Sequence, residues 1–110
     1  MHVPRALLAT IETRLPAHET LRNAQAVKSR DLKRVWFISA EIDGPGLKGH
    51  GDIGTWAKVG PLAAGGGLIL SVDSVFAQQL SGWPRGDTTY VDATMDDDGA
   101  QESHDCVKRR

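Results

Sequence analysis

The chain of 110 residues has a single cysteine, Cys106, and few aromatic residues. One thiol cannot build an internal disulfide framework, nor a zinc site that takes two or more thiolates from this chain. A lone cysteine fits a reducing, cytoplasmic setting. Because aromatic side chains bury large areas, we expect most of them, and Trp36 and Phe76 in particular, to lie in or beside the core.

Long apolar runs are also missing. The longest uncharged stretch, residues 59–72, has 14 residues and contains Pro61 and three consecutive glycines, whereas a helix that crosses a bilayer needs about 20 apolar residues. The apolar run that begins at Ala6 ends before Glu12, which makes it shorter than the core of most signal peptides. The sequence therefore predicts a protein without a membrane span that is not exported.

The charge is nearly balanced, with a net value of −1 at pH 7. Residues 1–60 carry nine Lys/Arg against six Asp/Glu, and residues 61–110 carry four against eight, which gives +3 and −4. With 40% hydrophobic and 25% charged residues, the composition is that of an ordinary globular domain. The length favours one domain.

The strongest strand pattern is Val35–Ile42. Four of its apolar residues, from Trp36 to Ile42, share one face, and Val35 and Phe37 begin an apolar pattern on the other. Two apolar faces indicate a central strand. Residues 53–59 alternate in the same way after a glycine-rich turn, so the two segments predict a hairpin with a long loop.

Weaker patterns complete the chain. Residues 4–15 predict an amphipathic helix and residues 23–29 an edge strand, and residues 68–72 alternate briefly. Residues 73–83 predict a helix whose buried stripe contains Phe76, Leu80 and Trp83. Residues 88–95 alternate as a strand, while residues 96–110 are either a short helix or a frayed tail.

The connections between the predicted strands are short and contain no helices. This order favours an antiparallel meander covered by helices on one face. We therefore predict one α+β domain over residues 1–110, with a three- to five-stranded antiparallel sheet. The N-terminal helix and a helix near residues 73–83 pack on the sheet.

Residues 44–49 match the spacing G-x-G-x-x-G of dinucleotide-binding loops. Such a loop must open a helix whose N-terminal amides hold the pyrophosphate. Here the chain continues into the strand pattern of residues 53–59 instead. A hairpin loop is the better interpretation, and no cofactor is predicted.

Acidic residues near the C-terminus resemble a calcium loop of the EF-hand type. Thr94, Asp96, Asp98, Gly99 and Asp105 occupy positions 1, 3, 5, 6 and 12 of such a loop, and Glu102 occupies position 9. A threonine replaces the leading carboxylate, and an aspartate replaces the long bidentate glutamate. Binding of a divalent ion by residues 94–105 is one hypothesis. The alternative is an acidic helix start that complements the helix dipole.

One hairpin end combines a histidine with two carboxylates. His50 and Asp52 lie in the predicted loop, and Asp43 ends the preceding strand. Enzymes place general acids and bases on such loops, so a small hydrolase or lyase is a second hypothesis. No nucleophile or oxyanion-binding device accompanies these three residues, and the chain is more readily interpreted as a protein that is not an enzyme.

A basic stretch precedes and enters the strongest strand. Its cations are Lys28, Arg30, Lys33 and Arg34, and Trp36 follows them. Cations beside an aromatic ring can bind single-stranded nucleic acid. The net charge of −1 and the absence of an RNP-like aromatic motif argue against that partner. A solvated turn with Trp36 in the core is the competing interpretation.

Three segments resemble a group of small actinobacterial proteins of uncharacterised function. They are ISAEIDGPG from Ile38, GDIGTWA from Gly51 and DDDGAQES from Asp96. The resemblance implies no activity, ligand or catalytic residue. The leading prediction is therefore a non-catalytic binding or protein-interaction module that recognises another protein, or that forms a homodimer through an exposed sheet edge.

Overall fold

A computed structural model describes residues 2–16, 19–44, 52–63, 68–73, 76–88 and 92–109. The helices are α1 (Arg5–Glu12), α2 (Ala77–Leu80) and α3 (Ala100–Lys108), with a short 3-10 turn at Gly86–Thr88. The strands are β1 (Thr20–Lys28), β2 (Val35–Asp43), β3 (Ile53–Val59) and β4 (Ile69–Ser71). The strands form one antiparallel sheet in the order β1-β2-β3-β4, which confirms the predicted α+β fold. In the part of the chain that the structure describes, no helix is long and apolar enough to cross a bilayer.

Strand β2 lies inside the sheet because both of its faces are apolar. On the first face, Ile38 joins a core cluster with Trp56 of β3, Ile11 of α1 and Ala77 of α2. On the second face, Phe37 joins another cluster, which extends to α3. Burial of apolar area on both sides stabilises the sheet by about 25 cal/mol for each Å² removed from water.

The predicted placement of all helices on one face is therefore wrong. Helices α1 and α2 cover the first face, and α3 covers the second. A chain of hydroxyl groups connects α3 to the sheet: Ser39 lies 2.7 Å from Thr55 and 2.8 Å from Ser103 between side-chain oxygens. All three residues are fully buried, so the hydrogen bonds offset the cost of removing these hydroxyls from water.

Several predicted elements are shorter than expected. The helix of residues 4–15 ends at Glu12, and the helix near residues 73–83 is reduced to Ala77–Leu80. Ser81 has an extended backbone and ends α2. Trp36 and Phe76 are half-buried and pack against the first core cluster, so they lie beside the core, within the expected range of positions.

The predicted strand over residues 88–95 is wrong for its described part, because Thr88 ends the 3-10 turn and residues 92–95 form no strand. Asp92 has a left-handed backbone with φ 52°, and the N–H of Ala93 donates to the carbonyl oxygen of Gly86 at 3.1 Å. A Cβ atom on Gly86 would lie 2.3 Å from the carbonyl oxygen of Ala93. The close approach requires glycine and holds this segment as a turn.

Each outer strand of the sheet makes one further contact. His2 forms an antiparallel bridge to Gln25 of β1, and Arg85 forms a parallel bridge to Ser71 of β4. The pairing of β1 with β2 shifts register between Arg22 and Gln25, where Asn23 has φ 53°. These contacts and the bulge limit the length of regular open edge on both sides.

Candidate functional site

The turn between β1 and β2 is closed by Ser29. Its backbone N–H donates to the carbonyl oxygen of Val35 at 2.9 Å, and its hydroxyl accepts from the N–H groups of Asp31 and Leu32 at 3.3 and 3.1 Å. Serine favours turns because its short side chain satisfies backbone donors locally. Arg34 leaves the turn with a left-handed backbone, φ 62°. The turn therefore has a defined backbone conformation, from which its side chains project.

Within the part of the chain that the structure describes, three cations of this turn face solvent with no carboxylate at salt-bridge distance. Lys28, Lys33 and Arg34 are all exposed, and among the residues that the structure describes none of the three forms a salt bridge. Because the protein does not neutralise these charges itself, they create a positive potential at this end of the sheet.

Two adjoining hollows open between the cations. The larger has a volume of about 540 Å³ and is lined by Lys28, Ser29, Arg30, Leu32, Lys33 and Arg34. The smaller has a volume of about 270 Å³ and is lined by Lys28, Arg34, Trp36, Gly60 and Pro61. The two hollows share Lys28 and Arg34, and each is also lined by apolar side chains. We call this region the basic turn surface, defined by Lys28, Leu32, Lys33, Arg34, Trp36 and Pro61.

The loop after β3 is joined to the turn by one short backbone hydrogen bond. Gly60 donates its N–H to the carbonyl oxygen of Arg34 at 2.7 Å. Gly60 has φ 105°, a conformation that L side chains rarely adopt. The bond brings Pro61, which is 25 residues from Trp36 in the sequence, to the opposite side of the smaller hollow.

Trp36 stands between two lysines in one row of the sheet. Its register partners are Lys28 on β1 and Lys58 on β3. Lys28 is exposed, whereas Lys58 is 1% exposed, and burial lowers the pKa of its ammonium group. The row thus carries one lysine at the surface and one inside the protein, with the half-buried indole of Trp36 between them.

Arg30 differs from the other cations because Asp98 binds it. The Oδ2 atom of Asp98 accepts from the Arg30 N–H at 2.7 Å and from Nε at 3.2 Å, while Oδ1 accepts from Nη2 at 2.9 Å. The hydrogen bonds from Arg30 hold the pKa of Asp98 below its usual value. This clasp ties the segment before α3 to the β1–β2 turn and places a carboxylate beside the basic turn surface.

We expect Asp98→Asn to lower the midpoint of thermal unfolding by a few degrees at pH 7. The pKa of Asp98 is lower in the folded protein, so its contribution is present above the usual aspartate value near 3.9 and is lost as pH falls through the lowered value. The difference between wild type and variant should therefore shrink as the pH falls below the usual aspartate value, and it should vanish once the pH is below the lowered pKa of Asp98. Melting curves over this range check it. Asp96→Asn, at an exposed side chain, is the control, and a difference that does not change with pH would contradict the prediction.

The remaining residues of the predicted calcium loop also bond within the chain. Glu102 accepts from the N–H of Gly99 at 3.1 Å, and Asp105 accepts from the side-chain amide of Gln101 at 3.1 Å. Asp96 is exposed. In the described ranges no group of three or more His, Cys, Asp or Glu side chains is arranged to hold a metal ion. These contacts support a helix start at Gly99 rather than a shared ligand sphere, and calcium binding stays an untested hypothesis.

The predicted catalytic residues are described only in part. Asp43 ends β2 and is exposed, and Asp52 precedes β3 and is half-buried. The N–H of Ile42 donates to the carbonyl oxygen of Asp52 at 2.9 Å, so the two carboxylates belong to the same end of the hairpin. His50 lies outside the described residues. Because the structure does not describe His50, it does not test the enzyme hypothesis, which stays a prediction.

A homodimer through an exposed sheet edge was predicted, and β1 is one of the two outer strands of the described sheet. Its exposed charged side chains are Arg22 and Lys28. A two-fold antiparallel pairing centred on Gln25 would place Arg22 of one copy opposite Lys28 of the other, and like charges directly opposite are destabilising. The charge pattern therefore disfavours this one register, and homodimerisation through a sheet edge stays a prediction.

The sequence pattern points to the cations of this surface but not to its apolar wall. Lys28 through Arg34 and Trp36 form a visible basic stretch. Pro61 follows another strand in a glycine-rich connection, and the pairing of Val35 with Val59, continued by the Gly60–Arg34 hydrogen bond, brings it to the turn. A proline directly after a strand is the one signal that could have marked it, and such prolines are common in turns.

No protein family, curated protein or solved structure matches this chain.

Proposed function

We propose that this protein is a non-catalytic interaction module that binds another protein through the basic turn surface. The observation that carries the proposal is the group of three exposed cations, Lys28, Lys33 and Arg34, which no described carboxylate neutralises. They surround apolar side chains in two hollows. Charged groups around an apolar centre are typical of protein interfaces, where the charges steer association and the apolar centre supplies affinity.

The position of the surface in the fold supports the same proposal. Helices cover both faces of the sheet, so both faces are buried in the core. The β1–β2 turn stands at one end of the sheet and is held by the hydrogen bonds of Ser29 and Gly60. A binding loop on a rigid scaffold loses little conformational entropy when a partner docks. The single Cys106 fits a cytoplasmic setting for this activity.

Affinity capture from extracts of the organism's own cells tests the proposal. The test variant Lys28→Glu/Arg34→Glu reverses the two cations that both hollows share. The control Arg5→Glu/Lys108→Glu makes the same change of charge at exposed positions of α1 and α3. We expect wild type and control to retain at least one protein that the test variant loses. Circular dichroism confirms that all three proteins are folded.

If the three proteins retain the same set at the same yield, the basic turn surface is not the binding site. Loss of the captured protein from the control as well would show attraction by total charge alone. Either result overturns the proposal.

A further inference from the structure

We infer that the basic turn surface recognises a short acidic protein segment that inserts one apolar side chain between Trp36 and Pro61. The inference rests on the proposed function and specifies the partner's chemistry. The smaller hollow is lined by these two apolar residues together with Gly60, and by the cations Lys28 and Arg34. It therefore combines an apolar centre with two positive charges at its margin.

The volume of the smaller hollow fits a side chain. At about 270 Å³ it is below the roughly 300–1,000 Å³ of pockets that enclose a small-molecule ligand. Pro61 is exposed and Trp36 is half-buried. Both side chains can therefore bury further apolar area when a partner binds. Burial of one Leu-sized side chain there removes further apolar area from water, which matches the role of an anchor at the centre of an interface.

The charges around the hollow select carboxylates on both sides of this anchor. Lys28 and Arg34 belong to both hollows, and Lys33 lines the larger one. All three cations therefore line at least one of the two hollows, and two of them line the hollow that contains Trp36 and Pro61. A segment with acidic residues before and after an apolar residue places opposite charges against them, and the guanidinium of Arg34 can bind a carboxylate through two parallel hydrogen bonds.

Negative charges next to the surface disfavour a long polyanion. Asp31 is exposed within the turn itself. Asp98 lies against Arg30 at 2.9 Å, and the exposed Asp96 is two residues away. Nucleic acid carries one phosphate for every 3.4 Å or so of each strand, so a bound strand extends past the three cations onto these carboxylates. A short acidic segment contacts the cations alone.

Fluorescence anisotropy with three labelled probes tests the inference on the full chain. The first is a pool of short acidic peptides with one central Leu, Ile, Phe or Trp. The second is the same pool with a central Ser, and the third is single-stranded DNA of equal charge. We expect the first pool to bind at least about tenfold more tightly than the second, because the Ser of the second pool cannot bury the apolar area of the anchor. The DNA should bind more weakly than the first pool.

Two protein variants locate the contact. Lys28→Glu/Arg34→Glu should weaken binding of the first pool by at least about tenfold. Pro61→Ser removes an exposed apolar side chain from the hollow without changing the core. It should weaken binding of the first peptide pool and leave binding of the second pool unchanged. Arg5→Glu/Lys108→Glu should bind as wild type does.

Equal binding of the two peptide pools would overturn the apolar anchor, and tighter binding of DNA would overturn the acidic protein segment in favour of nucleic acid. Failure of both pools at millimolar concentration would overturn the inference as a whole. None of these outcomes decides the capture experiment, which does not depend on the partner's chemistry, so the two failures can be told apart.

Discussion

Replacement of Trp56 by alanine is expected to lower the free energy of unfolding by about 3–5 kcal/mol. Trp56 lies in the middle of β3 and is fully buried in the core of the first sheet face. Its indole Nε1 donates to the hydroxyl of Ser81 at 3.2 Å, so the substitution also removes the hydrogen bond that joins β3 to the end of α2. A domain of this size is stabilised by only about 5–15 kcal/mol in total.

Urea denaturation followed by circular dichroism measures this loss. Trp36→Ala is the matched comparison, because Trp36 lies on the same face of the neighbouring strand but is only half-buried. We expect it to cost clearly less than Trp56→Ala. Equal costs for the two variants would show that the core is not centred on Trp56.

Asp73→Ala is expected to destabilise the protein by at least about 3 kcal/mol, since each buried N–H that loses its acceptor costs about 1–3 kcal/mol. The Oδ1 atom of Asp73 accepts from the N–H groups of Thr55 and Ala77 at 2.8 and 3.0 Å, and Oδ2 accepts from the N–H of Phe76 at 2.8 Å. Asp73 is buried. One carboxylate thus joins β3 to the start of α2.

The control for Asp73 is its amide analogue. Asp73→Asn keeps one acceptor oxygen and nearly the same shape, so we expect it to retain part of the stability that alanine loses. Amide hydrogen exchange should become faster at Thr55, Phe76 and Ala77 in Asp73→Ala. An alanine variant that unfolds at the wild-type urea concentration would contradict the prediction.

The central hairpin could be predicted because its signal is local. Residues 53–59 were expected as a strand and form β3, and the expected strand Val35–Ile42 differs from β2 only by Asp43. Alternating side chains report which face of a strand is buried whenever apolar residues fill that face. The two-faced pattern of β2 also predicted its inner position in the sheet.

The same periodicity cannot tell which large side chain occupies the centre of the core. Trp36 and Trp56 lie on the same face of adjacent strands. Trp56 is fully buried because Ala77 of α2 and Ile11 of α1 belong to the same cluster. The position of helices on a sheet depends on contacts between distant residues, which a period of two does not encode.

The segment around Gly86 and Ala93 was misread for a related reason. The alternating residues 88–95 predict a strand, but a strand needs a partner, and the described residues 92–95 pair with no strand of the sheet. The close approach of Gly86 and Ala93 is a tertiary contact. In the candidate site the cations of the β1–β2 turn were visible in the sequence, whereas the wall formed by Pro61 depends on the Gly60–Arg34 hydrogen bond.

The contacts at the outer strands also bear on whether copies of the protein can associate through their strand edges. An open, regular edge can template cross-β stacking between molecules. Here β1 is bulged near Asn23 and bridged by His2, and β4 has only three residues and is bridged through Ser71. Neither edge offers a long uninterrupted row of backbone donors and acceptors. The folded protein therefore combines an exposed, charged turn with described strand edges that are too short or too irregular to template long cross-β stacking.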